Sequence, residues 1–192
     1  MTKTYTQQAW SLADLFPAAD SPELKEAFKE LEISAAALES KRPLLTDKIS
    51  QKEFLDIISE LEAGYRIGHR VASYAELLFS SDTQNQSALG LIAKTDQLLS
   101  EIRNRTLFFS LWWKDLADDI AAPLMKNAGD YSYWLEEMRH FKPHTLTEAE
   151  EKIINTKNVT GVSALNTLYD SYTNRYVFKV EVDGEVKELT RG

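Results

Sequence analysis

The chain has no cysteine, so it has no disulfide and no thiolate metal site. Glycine is scarce, 7 of 192 residues, and none of it is arranged as a phosphate-binding loop. Basic residues are outnumbered, 22 against 30, for a net charge of −8. That balance argues against a nucleic-acid partner, which calls for a basic surface. Long hydrophobic runs are missing too. The strongest, Leu107 to Trp113, is interrupted by Ser110 and falls far short of the roughly 18 residues of a membrane span. No charged segment followed by an apolar core opens the chain, so no signal peptide is expected. The expectation is a cytoplasmic globular protein with no membrane partner. A chain of this length buries roughly 70% of the surface its unfolded form exposes, enough to dispense with covalent staples.

What is present is helical periodicity with clear punctuation. Residues 1–20 read as an extended lead-in, too apolar at Trp10, Leu12, Leu15 and Phe16 for a free tail, with Phe16-Pro17 as an anchor. Ser21-Pro22 is a helix start, a serine cap followed by proline at the first helical position. The stripe Leu24, Phe28, Leu31, Ala35, Leu38 follows. Ser50 and Glu53 form a capping box at the head of a second, long helix. In its stripe Gly68, Ala72 and Ala75 invite the close approach of a neighbour. A third helix is expected from about Asn85 to Leu116, ending in a segment apolar nearly all round. A short fourth, to Asn127, contains Pro123, which starts or kinks it.

Asp130 to Asp170 reads as helix, corner, helix, break, helix. Tyr131, Trp134, Leu135, Met138 and Phe141 recur at helical spacing, and Pro143 forbids continuation. Thr147 and Glu150 make a second capping box. Gly161 breaks the pattern before Ala164, Leu165, Leu168, Tyr169 and Tyr172 begin a new stripe. The last segment alternates like strands, and Asp183-Gly184 between two such runs signals a hairpin. A two-residue loop sets Lys179 opposite Glu188 and Phe178 opposite Leu189. A lone hairpin is marginal in water, so it must pack on the helices or on something else. The stripe spacing is close to that of a coiled coil, but short connections fit an antiparallel bundle better. The expected fold is all-α: one domain over 1–192, an antiparallel multi-helix bundle over 21–174 with a C-terminal β-hairpin over 176–190.

Chemistry-bearing constellations are thin. His140 and His144 have the four-residue spacing of two zinc ligands on a helix, but Pro143 lies between them and no Glu follows His140. Glu137-Met138-Arg139-His140 is one Glu-x-x-His unit where a di-iron bundle needs two, and His69 has Arg66 at the matching position. Polar residues at a helix corner and on a solvated face account for both. No catalytic and no metal-binding residue is assigned. The aromatic stripes are most simply core, with Phe108, Trp112, Trp113, Phe178 and Val180 as candidates for a domain interface.

The order Arg139-His140-Phe141-Lys142-Pro143-His144, Leu146 through Ile154, Thr160-Gly161 and Leu168-Tyr169 resembles the N-terminal region of the oligoendopeptidase F family. Trp10-Ser11-Leu12-Ala13-Asp14-Leu15-Phe16-Pro17 is similar to that family's start, and the resemblance extends from Trp10 to Thr190. These are zinc metallopeptidases of the thimet-oligopeptidase type. The resemblance implies a helical domain forming one wall of a channel that admits short peptides and docking on a C-terminal catalytic domain. That catalytic domain, absent from this chain, is where the family's zinc sits. The family's His-Glu-x-x-His motif occurs nowhere in this sequence. The chain is therefore expected to hold no cofactor and to be inactive alone, with weak self-association as a dimer. The alternative is a stand-alone helical binding module that keeps the fold without peptidase activity.

Overall fold

The structure is a computed structural model that describes residues 10–182 and 184–189. The order is α1 (Pro22–Ser40), α2 (Gln51–Ser81), α3 (Gln86–Asp115), α4 (Asp118–Lys126), α5 (Ser132–His140), α6 (Glu148–Asn158), a π-helical turn (Val159–Ser163), α7 (Ala164–Thr173), β1 (Phe178–Val182) and β2 (Glu185–Leu189). Helices α1, α2 and α3 pack on one another as an antiparallel bundle, α6 lies along α3, and the strands form a two-stranded antiparallel hairpin. The expected fold class holds. Lys179 pairs with Glu188 and Phe178 with Leu189, as expected. Asp183 of the hairpin turn, Thr190 and residues 1–9 of the lead-in lie outside the described residues.

The helix starts follow their local chemistry. Ser21 Oγ accepts from the Leu24 N–H with Pro22 in the first turn, and both capping boxes form, Ser50 with Glu53 and Thr147 with Glu150. Asn85 caps α3 by accepting from Ser87 and Ala88. Pro123 sits inside α4, which begins earlier, at Asp118. Gly129 takes φ +58, the left-handed conformation that lets the chain reverse between α4 and α5.

Two buried clusters fill the body. One gathers Phe54, Ile58, Phe109 and Trp113 with Ala121, Leu124 and Leu135 from α4 and α5. Within it the Phe109 ring stacks on Trp134 at 6.3 Å, and the Phe54 ring centre lies 5.1 Å from that of Trp113. The other joins Leu24, Leu31, Val71, Tyr74 and Leu91 to Phe16 of the lead-in. The Phe16 anchor forms as expected: its ring meets Tyr74 edge-on at 5.3 Å and lies under the Arg70 guanidinium at 4.3 Å. Trp10, in contrast, is exposed.

Two details differ from the sequence reading. Among the described glycines the tightest approach is at Gly64, where a Cβ would sit 2.8 Å from Ser34 Oγ of α1; at Gly68 the nearest atom, Leu99 Cδ2, is 3.4 Å away. Gly161 does not break the helix either. The chain runs from α6 into α7 through a π-helical turn, whose wider hydrogen-bonded ring absorbs an extra residue without ending the helix.

Candidate docking face

Three of the five interface candidates belong to the inside of the domain. Trp113 is fully buried and Phe108 nearly so, while Trp112 is partly covered against the same cluster. The reason is the return of the chain: α4 and α5 fold back over the end of α3. Trp113 Nε1–H donates to the Leu135 carbonyl at 2.9 Å. Arg139 clamps this corner. Its guanidinium donates to the carbonyls of Trp113 and Leu116 and to Asp118, and lies 5.4 Å from the Trp113 ring. It holds the Asp118 carboxyl below the usual carboxylate range, with Lys142 adding to the effect. This role of Arg139 was invisible in the sequence, since its acceptors are mostly backbone carbonyls.

Phe178 and Val180 are exposed. They lie in a larger uncovered region that runs from Leu146 to Leu189. Ile153, Val162, Leu165, Leu168, Tyr172 and Val186 each expose 60% or more of their surface. On the hairpin, Phe178, Val180 and Val182 share one face with Leu189, because side chains alternate along a strand and Phe178 pairs with Leu189. Tyr172, Tyr176 and Phe178 form an edge-to-face ladder, 5.5 and 6.4 Å between rings, that joins α7 to β1. Among the described residues of α6, α7 and both strands the only buried side chain is Thr173.

What moors this arm is polar. Ser100 Oγ donates to the Asn155 carbonyl at 3.2 Å, Asn155 Nδ2 to Asn104 Oδ1 at 3.1 Å, and Asn104 Nδ2 to Thr156 Oγ1 at 3.1 Å. Arg42 pairs with Glu148 at 2.8 Å. Farther along, Gln84 Nε2 donates to the Ser171 carbonyl and Arg175 Nε to Gln84 Oε1. The arm thus turns polar atoms toward the body and leaves its large apolar side chains outside. A helix normally does the reverse.

His140 ends α5, His144 lies in the 3-10 turn Lys142–His144, His69 lies on α2, and all three are exposed. Glu137 is likewise exposed on α5. Among the described residues no three His, Asp or Glu side chains converge as metal ligands. The described residues do not fit the zinc of a metallopeptidase, so no hydrolytic step is assigned to them. No helix among the described residues is long and apolar enough to cross a membrane.

With that geometry in place, comparison with known families gives a class. Residues 113–178 match the family model described as oligopeptidase F, at its N-terminal region. Over that stretch the chain is similar to the N-terminal region of the oligopeptidase F family. The match starts at the buried Trp113, takes in the Arg139 clamp and the whole α6–α7 arm, and ends at Phe178. It is narrower than the resemblance from Trp10 to Thr190. No curated protein and no solved structure matches the chain.

Proposed function

We propose that this chain is a non-catalytic N-terminal domain of an oligoendopeptidase F-type zinc peptidase. It docks on the catalytic domain through the α6–α7 arm and hairpin, and the helical body forms a channel wall that restricts substrates to short peptides. The observation that carries this reading is the coincidence of two features in one stretch: the family match and the outward apolar side chains. A surface of that kind marks a site where another surface binds. The zinc and the general base belong to the catalytic domain, and the setting inferred from composition is cytoplasmic.

The test is to mix the chain with a separately produced catalytic domain of an oligopeptidase F enzyme and follow amide hydrogen exchange. The expected result is a complex in which amides from 162 to 189 gain protection while those of α1 and α2 do not change. A chain that binds no such domain, and whose arm exchanges at the same rate with or without it, would leave the stand-alone interaction module as the reading.

A further inference from the structure

The two buried clusters do not meet. Between them lies a cleft of about 370 Å³, to which α2 contributes Gly64, Gly68 and Ala72, with α1, α3 and the α6 end with its π-helical turn supplying the other sides. Its deep wall is apolar: Leu31 and Ala35 from α1, Leu61 from α2, Leu99 and Ile102 from α3. Its acids are Glu60 and Glu76 on α2 and Asp96 on α3.

Asp96 stands apart from the other carboxylates of the protein. It is partly buried, accepts no hydrogen bond and has no cation within ion-pair distance among the described residues. Burial alone pushes its carboxyl above the ordinary value. Glu60 gives one oxygen to Lys41, while its other oxygen is buried without a donor. Asp96 therefore has both oxygens free to accept from a cationic donor, and Glu60 has one more to offer. A metal ion does not suit the site, since among the described residues no three ligating side chains converge. The remaining charged or titratable groups around the cleft are His69, Tyr65 and Arg103. Arg103 sits seven residues from Asp96, about 10 Å along α3, and repels a second cation at that end. Tyr65 lies close enough to Arg103 to feel its charge.

We propose that this cleft binds a small organic monocation, an ammonium or guanidinium on a short aliphatic stem, with its head on Asp96 and its stem against Leu31 and Leu99. The aliphatic wall supplies contact for the stem, and the unpaired carboxylate supplies the charge-assisted hydrogen bond. The inference stands independently of the peptidase reading. A free amine and a lysine side chain of a peptide share this chemistry.

The experiment is an amide chemical-shift titration of the whole chain with n-butylammonium, n-butylguanidinium and N-acetyl-lysinamide, with n-butanol and butyrate as controls. Saturable shifts confined to residues around Gly68, Ala72 and Asp96 are expected for the cations and not for the controls. Tighter binding of N-acetyl-lysinamide assigns the site to peptide side chains, and tighter binding of butylammonium assigns it to free amines. Asp96→Asn is expected to weaken binding at least tenfold while melting no lower than the parent, because it removes a desolvated, unpaired charge. That pairing separates a ligand-binding carboxylate from a structural one. The proposal is overturned if no cation gives saturable shifts up to about 10 mM, or if the Asp96→Asn variant binds as the parent does.

Discussion

The body of the molecule and its C-terminal arm are built from similar sequence and end in opposite states. Both have capping boxes and apolar stripes at helical spacing. In the body the stripes of α1, α2 and α3 face one another, and Phe54, Leu31, Val71 and Trp113 are buried. In the arm Leu165, Leu168 and Tyr172 point away, and asparagine, serine and arginine make the contacts to the body. An apolar stripe therefore says that a helix will be covered without saying by what. For the body the cover is the same chain. For the arm we infer that it is a second surface.

The difference should be largest under truncation of a large apolar side chain. Trp113→Ala leaves a cavity and removes the indole donor to the Leu135 carbonyl, with an expected cost of about 3–5 kcal/mol in a denaturant melt. Leu168→Ala removes a side chain that is 63% exposed, and the expected change is within about 0.5 kcal/mol. Comparable losses at the two positions would mean that the arm contributes to the same cooperative core.

The two capping boxes provide a matched pair for a second comparison. Ser50→Ala at the head of α2 removes an acceptor for the Glu53 N–H and is expected to lower global stability by about 1 kcal/mol. Thr147→Ala removes the equivalent acceptor at the head of α6. Its effect should instead appear as faster amide exchange in the arm, with little change in the global melt, because weakly packed elements open locally. A global loss at Thr147 equal to that at Ser50 would erase the distinction.

The features legible in the sequence were those set by neighbouring residues. Ser21-Pro22, the two capping boxes and the Lys179–Glu188 register each depend on a few positions whose chemistry is local, and each formed as expected. The features that were missed depend on distant chain. Phe108 and Trp113 looked available for a partner because an all-round apolar helix end does not show that α4 and α5 return to cover it. Gly161 looked like a break because glycine is common both at helix ends and where a helix only widens. Asp96 was one acid among many, and its isolation arises only when the sides of the cleft come together.

Acidification tests the polar moorings. The Arg105 guanidinium beside Glu39 holds that carboxyl below its usual range, and Lys152, then Arg42, do the same for Glu148. In both cases the folded group binds its proton less readily than the unfolded one. The contribution is therefore complete above the unfolded carboxylate range and is lost as pH falls through the lower, folded value. Both pairs are near the surface, where such contacts are worth about 0–1 kcal/mol. Glu39→Gln is expected to flatten slightly the acid limb of the global melt, whereas Glu148→Gln should flatten the acid dependence of amide exchange in α6. If either variant changed both readouts alike, body and arm would be one cooperative unit.

The smallest expected effect is self-association. Each strand of the hairpin has one unpaired edge, which is a template for another strand, and its apolar face includes Phe178, Val180 and Leu189. With no other partner present, we expect a weak two-fold dimer, the commonest closed arrangement. The net charge of −8 opposes it, so added salt should tighten the dimer by screening that repulsion. Sedimentation across concentration and salt measures this directly. Val180→Lys places a cation on the exposed apolar face and should return the chain to monomer without altering its melt. A parent chain that stays monomeric at high concentration in both low and high salt would mean that in solution the arm covers its own apolar side chains. The contrast between body and arm would then belong to the stand-alone module, with no docking domain needed to resolve it.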